Sequence, residues 1–529
     1  MSDNLRKIII AGVIAVFLTL SIASALTHRP QIDEGMFASP AYNLAFNGHF
    51  GTTVLEKEKA TLTRIDERTY WVMPMFLLNA SAAFKTLGFS IVSMRLVNVF
   101  WGLVLLAAVY FIALKLSNDR RTALIALVLA SCDYMVLETA SSARMDMMTA
   151  ALGFSAIAVY LVLRERNLQL AVVLSQTLIV IDGLTHPNAI TAFVALVIVT
   201  LWLDRRRLLQ KPAREQGLNI QPEGYALANA RSSARHRVST LLLGILPYLI
   251  GGTAFGIWIL QDVEAFKNQF IDNALMGGRM SALSSPLGNI VREFTEHYPH
   301  AYGLGQNSGG HSGPIYLKSL MLIGYIAGII GSLLIKELRQ SSHWRLLMTL
   351  TLAYFLIMAI IDGQKQTTYL IHIVPLYIIL LAGAIGWMWR QMKVPRVVLV
   401  VAILGLIALP AGGMLLKIKQ NTHGNFYAPV IAHLKTNMGE NDYVMGGADL
   451  AFGLGFEANL IADGRYGYYT GKRPRYIVSD SATDLTWQNS QKFFPEFYEY
   501  FPRLLRDEYR VSYENAAYKI YERRLMAKE

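Results

Sequence analysis

Apolar residues run along this chain in long blocks separated by short polar intervals. Blocks near 8–26, 92–115, 121–139, 147–163, 168–184, 188–203, 239–260, 315–335, 344–361, 370–389 and 396–416 each approach the length a helix needs to cross a bilayer. They predict about eleven spans. The intervals carry a sided charge pattern. Arg6/Lys7, Lys115/Arg120/Arg121, Arg164/Arg166, Arg205/Arg206/Arg207, Lys336/Arg339/Arg345 and Arg390/Lys393/Arg396 share one side if the spans alternate. The stretch 204–238 falls there too and adds Lys211, Arg214, Arg231, Arg235 and Arg237. The positive-inside rule makes that side cytoplasmic, N-terminus included. The first run follows Arg6 and Lys7 like a signal peptide, but "SALTHRPQ" offers only a weak cleavage site, so it is read as an uncleaved span. One more stretch, "YWVMPMFLLNASAAFKTLGF" (70–89), is apolar enough to be a twelfth span. Counting it would move every later basic loop to the wrong side, and Pro74 and Lys85 interrupt it. It is predicted to be a helix lying in the interface or packed on the bundle, with Tyr70 and Trp71 at headgroup depth.

This topology leaves three segments facing outward: 27–91, 261–314 and the tail from 417. In the tail the charges mix. "RYIVSD" (475–480) and "YRVSYENAAYKIYERR" (509–524) alternate as a strand and a hairpin do. "NSQKFFPEFYEYFPRLL" (489–505) has the pattern of an amphipathic helix interrupted near its prolines. The fold class is therefore a polytopic α-helical membrane protein. A transmembrane module covers 1–416, with its first outer loop at 27–91, and a small extracytoplasmic α/β domain covers 417–529.

Composition agrees. Of 529 residues 53% are hydrophobic and 16% charged, against about 25% charged in soluble chains. The net charge of +12 is mostly the cytoplasmic loops, not a nucleic-acid footprint. The single cysteine, Cys132, excludes an intrachain disulfide.

Chemistry-bearing residues gather at outward turns. "RPQIDEGMFASPAYN" (29–43) puts Asp33 and Glu34 just outside the first span. "ETASSARMDMM" (138–148) puts Glu138, Arg144 and Asp146 among apolar neighbours, where ionisable groups pair, face a cavity or do work. "IIDGQKQTTYLIHIVP" (360–375) carries Asp362, Lys365, Tyr369 and His372; Lys365 is either a snorkelling interfacial lysine or a holder of a phosphate headgroup. "GLTHPNAI" (183–190) adds His186, a turn histidine more often neither ligand nor donor. His297, His300 and His311 have no metal-ligand spacing, and "GGHSG" (309–313) lacks the phosphate-loop pattern. Outward acids, headgroup-level cations and a wide apolar body fit sugar transfer from a lipid phosphate. A phosphate-linked sugar leaves as a stable anion, so one carboxylate base for the acceptor hydroxyl suffices, with cations for the departing phosphate.

On "DEGMFA", the run from "YWVMPMFLLNASAAFKTLGF" to "ALIALVLA", "ARMDMM" and "QTTYLIHIVPLYIILLAGAIGW", the chain resembles the membrane glycosyltransferases of the GT-C fold. Within them it is similar to the dolichyl-phosphate-mannose protein mannosyltransferase-like superfamily, whose bacterial members include lipid A aminoarabinose transferases. The resemblance implies about eleven transmembrane helices and juxtamembrane helices in the first outer loop. It implies transfer, with inversion, of a sugar from a polyprenyl-phosphate donor to a lipid, glycan or protein hydroxyl outside the inner membrane. Asp33 would be the base or acceptor-positioning acid, supported by Glu34, and Asp146 with Arg144 would orient acceptor or sugar. Lys365, His372 and Tyr369 would meet the polyprenyl phosphate. The aminoarabinose pattern has a basic residue and a Pro-Pro pair before its juxtamembrane helix; "ERTYWVMPM" offers Arg68 and one proline. No cofactor is expected, and although some members hold a metal, this sequence supplies no ligand set. The partners expected are the lipid-linked donor, the acceptor and membrane lipids, with no nucleic acid. The alternatives are a lipid-sugar flippase or secondary transporter, which needs broken helices or charges at the midplane, and a scaffold with a decayed site.

Overall fold

The computed structural model describes residues 2–58, 62–209, 223–276, 281–304, 315–392, 394–456 and 459–524. Lys211, Arg214 and the Gly/Ser turn with His311 lie outside them. The first part of the chain folds as α1 (Asp3–Thr27), α2 (Ile32–Tyr42), α3 (Pro74–Leu87), α4 (Ile91–Ser117), α5 (Arg120–Cys132), α6 (Tyr134–Ala140), α7 (Asp146–Leu163), α8 (Leu168–Gly183), α9 (Ala189–Leu209) and α10 (Glu223–Ile259). Helices Ile315–Leu334, Ser342–Ile361, Val374–Gln391 and Arg396–Gln420 complete the bundle. All eleven apolar blocks are helical. By length and composition six helices among the described residues can each cross a membrane, or seven with one bent pair counted as a span.

That bent pair corrects the expectation of one continuous span at 121–139. The helix stops at Cys132 and restarts at Tyr134 with a 57° bend. Asp133 between them is extended, and its carboxylate accepts from the Met135 and Val136 backbone N–H groups, 2.8 and 3.2 Å away. An N-cap inside an apolar run ends one helix and starts another. The 370–389 block begins later than expected for a similar local reason. Thr367–His372 is a tight 3₁₀ turn, and the helix starts at Val374 with Pro375 in its first turn.

Along the bundle α4 packs on α7 and α5, α7 on α8 and α9, and Ile315–Leu334 on Val374–Gln391. Small residues permit the closest approaches. A Cβ on Gly153 would meet Ala192 at 2.6 Å, and one on Gly328 the Leu381 backbone at 2.7 Å.

Between α2 and α4 the predicted 70–89 helix is α3, packed on both. Tyr70 and Trp71 precede it in non-helical conformation, and both are buried by protein. The Tyr70 hydroxyl donates to Trp258 O at 3.0 Å, the Trp71 indole N–H to Thr52 Oγ1 at 3.1 Å, and Phe37 stacks on Trp71 at 5.4 Å. Their polar atoms are satisfied inside the fold.

The tail forms a five-stranded sheet in the order β2-β1-β3-β5-β4. These are β1 (Val444–Met445), β2 (Leu460–Ile461), β3 (Tyr476–Asp480), β4 (Tyr509–Glu514) and β5 (Tyr518–Arg523). β1 runs parallel to β2 and β3; β5 is antiparallel to β3 and β4. The predicted amphipathic helix is two, Ser481–Phe493 and Pro495–Glu508. Phe494 leaves the helical region because the ring of Pro495 disfavours it for the residue before. The sheet docks on the first outer loop. Leu55 bridges to Ala462 beside β2, and Lys472 pairs with Glu56 at 2.9 Å. α2 meets the 448–450 turn at Gly35, where a Cβ would fall 2.1 Å from Ala448 O.

Candidate active site

α2 is set in place by its second acid. Glu34 lies fully buried against fully buried Arg95 of α4. Arg95 Nη2 donates to Glu34 Oε2 at 2.7 Å and Nε to Oε1 at 2.9 Å. The Gln31 and Ala143 N–H groups add bonds of 2.8 and 2.7 Å to the same carboxylate. Arg95 spends its remaining donors on the carbonyls of Ala25, His28 and Arg29. One charge pair therefore ties together the end of α1, the start of α2, α4 and the turn before α7. Asn98 fastens that turn further, donating to Ser142 O and Arg144 O at 2.5 Å each.

Asp33, one residue earlier, points away from this knot, with its side chain 47% exposed. Arg144 Nη1 donates to Asp33 Oδ2, and Arg144 Nε to Asp146 Oδ2 at 3.0 Å. Arg144 is buried and Asp146 fully so, and the Phe37 ring, one α2 turn from Asp33, lies 5.9 Å from the guanidinium carbon. Burial opposes the Arg144 charge, but Asp146 and Asp33 more than offset it and hold the guanidinium protonated beyond its ordinary range. The buried Asp146 Oδ1 has no protein partner.

Two further turns reach this acid. His186 and His372 both lie within electrostatic reach of Asp146, and Tyr369 within reach of Arg144. The His186 ring is 5.3 Å from Tyr369, edge-on, and 6.5 Å from His372. Its Nδ1 accepts from the Asn188 N–H at 3.0 Å, which makes Nε2 the N–H of the neutral ring. His372 is buried with Nε2 unpartnered. Sequence reasoning set His186 aside; the usable signal was its place at an outward turn on the same face as Asp33 and Asp146.

Lys365 and Arg68 are engaged elsewhere. Lys365 is buried, not snorkelling; its Nζ donates to Glu293 Oε1 at 2.6 Å and to Ala359 O at 2.9 Å. His297 closes the other side of that carboxylate, with Nδ1 2.7 Å from Glu293 Oε2 and Nε2 2.9 Å from Gln366 O. Burial would raise the Glu293 pKa, but His297 and Lys365 bring it below the usual glutamate range. Arg68 donates to the Gln261 side-chain oxygen. Among the described residues no group of three or more His, Cys, Asp or Glu side chains is arranged to hold a metal ion.

No protein-family model matches this chain, and no curated protein sequence matches it significantly. Solved structures do. The chain is similar to ArnT from Cupriavidus metallidurans in the apo state, with a TM-score of 0.59, 13% identity and 98% of each chain covered. The same protein bound to undecaprenyl phosphate gives a TM-score of 0.56 over the same shares at 13% identity. The apo oligosaccharyltransferase of Archaeoglobus fulgidus gives 0.53 at 13% identity, over 99% of this chain and 75% of that one. The chain thus has the GT-C fold with a small C-terminal sheet domain.

Proposed function

We propose that this protein is a membrane glycosyltransferase that takes a sugar from a polyprenyl-phosphate donor to an acceptor hydroxyl at the outer face of the cytoplasmic membrane. The observation that carries the reading is the Asp33–Arg144–Asp146 constellation, in which the half-exposed acid shares one guanidinium with a fully buried one. Support comes from the GT-C neighbours, one bound to undecaprenyl phosphate and another, archaeal AglB, in complex with a dolichol-phosphate and an inhibitory peptide.

In this reading Asp33 takes the proton of the acceptor hydroxyl as its oxygen bonds to the anomeric carbon. The bond from that carbon to the phosphate oxygen breaks on the opposite side, with inversion, and polyprenyl phosphate leaves with the electron pair. Among the described residues only the Oδ2 of Asp33 has a partner, which leaves Oδ1 for the task. With the acceptor on that oxygen, Arg144 keeps Asp146 through Nε and Asp33 through Nη1, and its Nη2 is left for the departing phosphate. Tyr369, His186 and His372 supply further donors beside it. Glu34 is a positioning residue, because Arg95 and two backbone N–H groups occupy its carboxylate. Lys365 holds the turn that carries Tyr369 and His372, and Arg68 lies with Gln261, outside the donor site. The sugar is hexosyl or pentosyl, and no cofactor takes part.

The test is transfer by purified, folded protein from a polyprenyl-phosphate sugar. Full activity in Asp33→Asn would sink the mechanism. Mass spectrometry of envelope glycolipids, glycans and glycoproteins from a deletion strain would name the missing sugar and its acceptor. The break at Asp133 favours a second reading, transport, because a broken helix with a buried acid is what a transporter needs. Asp133 is nonetheless spent on capping α6 and on the Tyr325 hydroxyl. Substrate flux in proteoliposomes without sugar transfer would restore that reading.

A further inference from the structure

Away from the Asp33 constellation, a groove of about 420 Å³ opens between the first outer loop and the C-terminal domain. Leu55, Leu62, Ile65 and Phe497 give it an apolar floor, with Ile65 and Phe497 buried. Its rim carries charge of both signs. Glu58 is an exposed acceptor, its side chain 60% accessible, and reaches Lys472 at 3.0 Å. Arg465 lies over the Tyr469 ring at 4.9 Å, and that ring also stacks on Phe494 at 5.9 Å and meets Tyr468 edge-on at 5.0 Å. Among the described residues no carboxylate lies within ion-pairing distance of Arg465. Its guanidinium is thus preorganised by stacking, with its fork of donors uncommitted.

We propose that this groove binds a saccharide, the glycan portion of the acceptor, and in that respect it rests on the transferase reading. A sugar ring is amphipathic. Its C–H face suits the apolar floor, and its hydroxyls both accept from a planar guanidinium and donate to a carboxylate. An acyl chain would gain nothing from Arg465 and Glu58 and would leave their charges to be desolvated. A free phosphate would meet Glu56, Glu58 and Asp463. An extended peptide adding to the nearby sheet edge finds it taken, because Ala462 N donates to Val54 O at 2.7 Å and Glu56 N to Ala462 O at 3.3 Å.

The groove lies a short chain path from the reacting end. Ser39, six residues along α2 from Asp33, accepts from the Val54 N–H at 3.2 Å, and Leu55 follows at once. Six helical residues and one hydrogen bond span roughly 15 Å, the reach of a few linked sugars. A glycan held there would present its end to Asp33.

Photocrosslinking tests this in cells that make the full chain. With Tyr469→p-benzoylphenylalanine, irradiation should attach material that releases monosaccharides on acid hydrolysis. Arg465→Ala added to the same chain should cut that adduct about tenfold, as loss of a charge-assisted hydrogen bond does. Asp33→Asn should leave it intact, so capture is read separately from transfer: transfer surviving in Asp33→Asn would sink the Asp33 mechanism, and no transfer by the parent protein would sink the transferase reading, while capture stood in either case. A sugar-free adduct to protein or acyl lipid, or no adduct from a variant with unchanged melting, overturns the proposal.

Discussion

Arg95 and Glu34 meet through two hydrogen bonds of 2.7 and 2.9 Å, with neither side chain reached by solvent. Removing one partner of such a pair leaves the other charged, buried and alone. Glu34→Ala is expected to cost about 3–5 kcal/mol and to lower expression and melting temperature together. Thermal unfolding in detergent checks this. A well-folded Glu34→Ala that had lost only transfer would instead place Glu34 in the chemistry.

Its neighbour behaves oppositely. Asp33 is half exposed and contributes one ion pair, worth about 1 kcal/mol or less. Asp33→Asn should melt within about 2 °C of the parent. Its transfer rate should fall about a hundred- to ten-thousandfold, the usual share of a general base. Parallel melting and transfer assays on the two variants separate positioning from proton removal in adjacent residues.

The contrast marks where the sequence was informative. Apolar blocks located the helices because bilayer-length burial leaves a long local signal, and the basic loops sorted 70–89 away from the spans. The predicted topology put Asp33, Arg144, Asp146, Tyr369 and His372 on one side, and these residues lie near one another in the fold. Lys365 did not resolve, because its partner Glu293 is 72 residues away and no local pattern links them. Glu34 was ambiguous for the same reason, since Arg95 lies beyond the outer loop. Asp133 had a local signal, an acid two and three residues before the backbone N–H groups it caps, but the surrounding apolar residues masked it. β1 and β2 are two residues each, too short for alternation to register.

Asp449 makes the docking of the C-terminal domain sensitive to pH. It is buried in the turn that receives Gly35 of α2, and its Oδ2 accepts from the Tyr518 hydroxyl at 3.1 Å. Burial first and the nearby Asp480 second push its pKa up to about 7, against the lowering effects of Tyr518 and Arg29. An acid whose pKa is higher folded than unfolded takes up a proton on folding. Its stabilising effect is therefore complete at low pH and is lost as pH rises from about 4 to about 7. Asp449→Asn should flatten that part of the profile and be the more stable form above pH 7. Melting curves across pH 4–8 for both proteins check it; an unchanged slope in Asp449→Asn would contradict it.

Lys365 and Glu293 give the sharpest division between positioning and phosphate binding. The pair is buried on both sides at 2.6 Å, and it clamps the 286–301 segment to the turn that bears Tyr369 and His372. Lys365→Met alone strands the Glu293 carboxylate with only His297, at a cost of about 3–5 kcal/mol. Replacing both partners by methionine removes the two charges together, and paired apolar replacements of this kind are often neutral. The double variant should therefore recover most of the lost melting temperature, and the coupling should appear as clear non-additivity in a double-mutant cycle. If Lys365 only holds the turn, transfer returns with stability to within about tenfold of the parent. If its ammonium also meets the donor phosphate, the double variant folds but its KM for polyprenyl-phosphate sugar stays high. Burial, the short ion pair to Glu293 and a second partner in the Ala359 carbonyl all favour the first outcome.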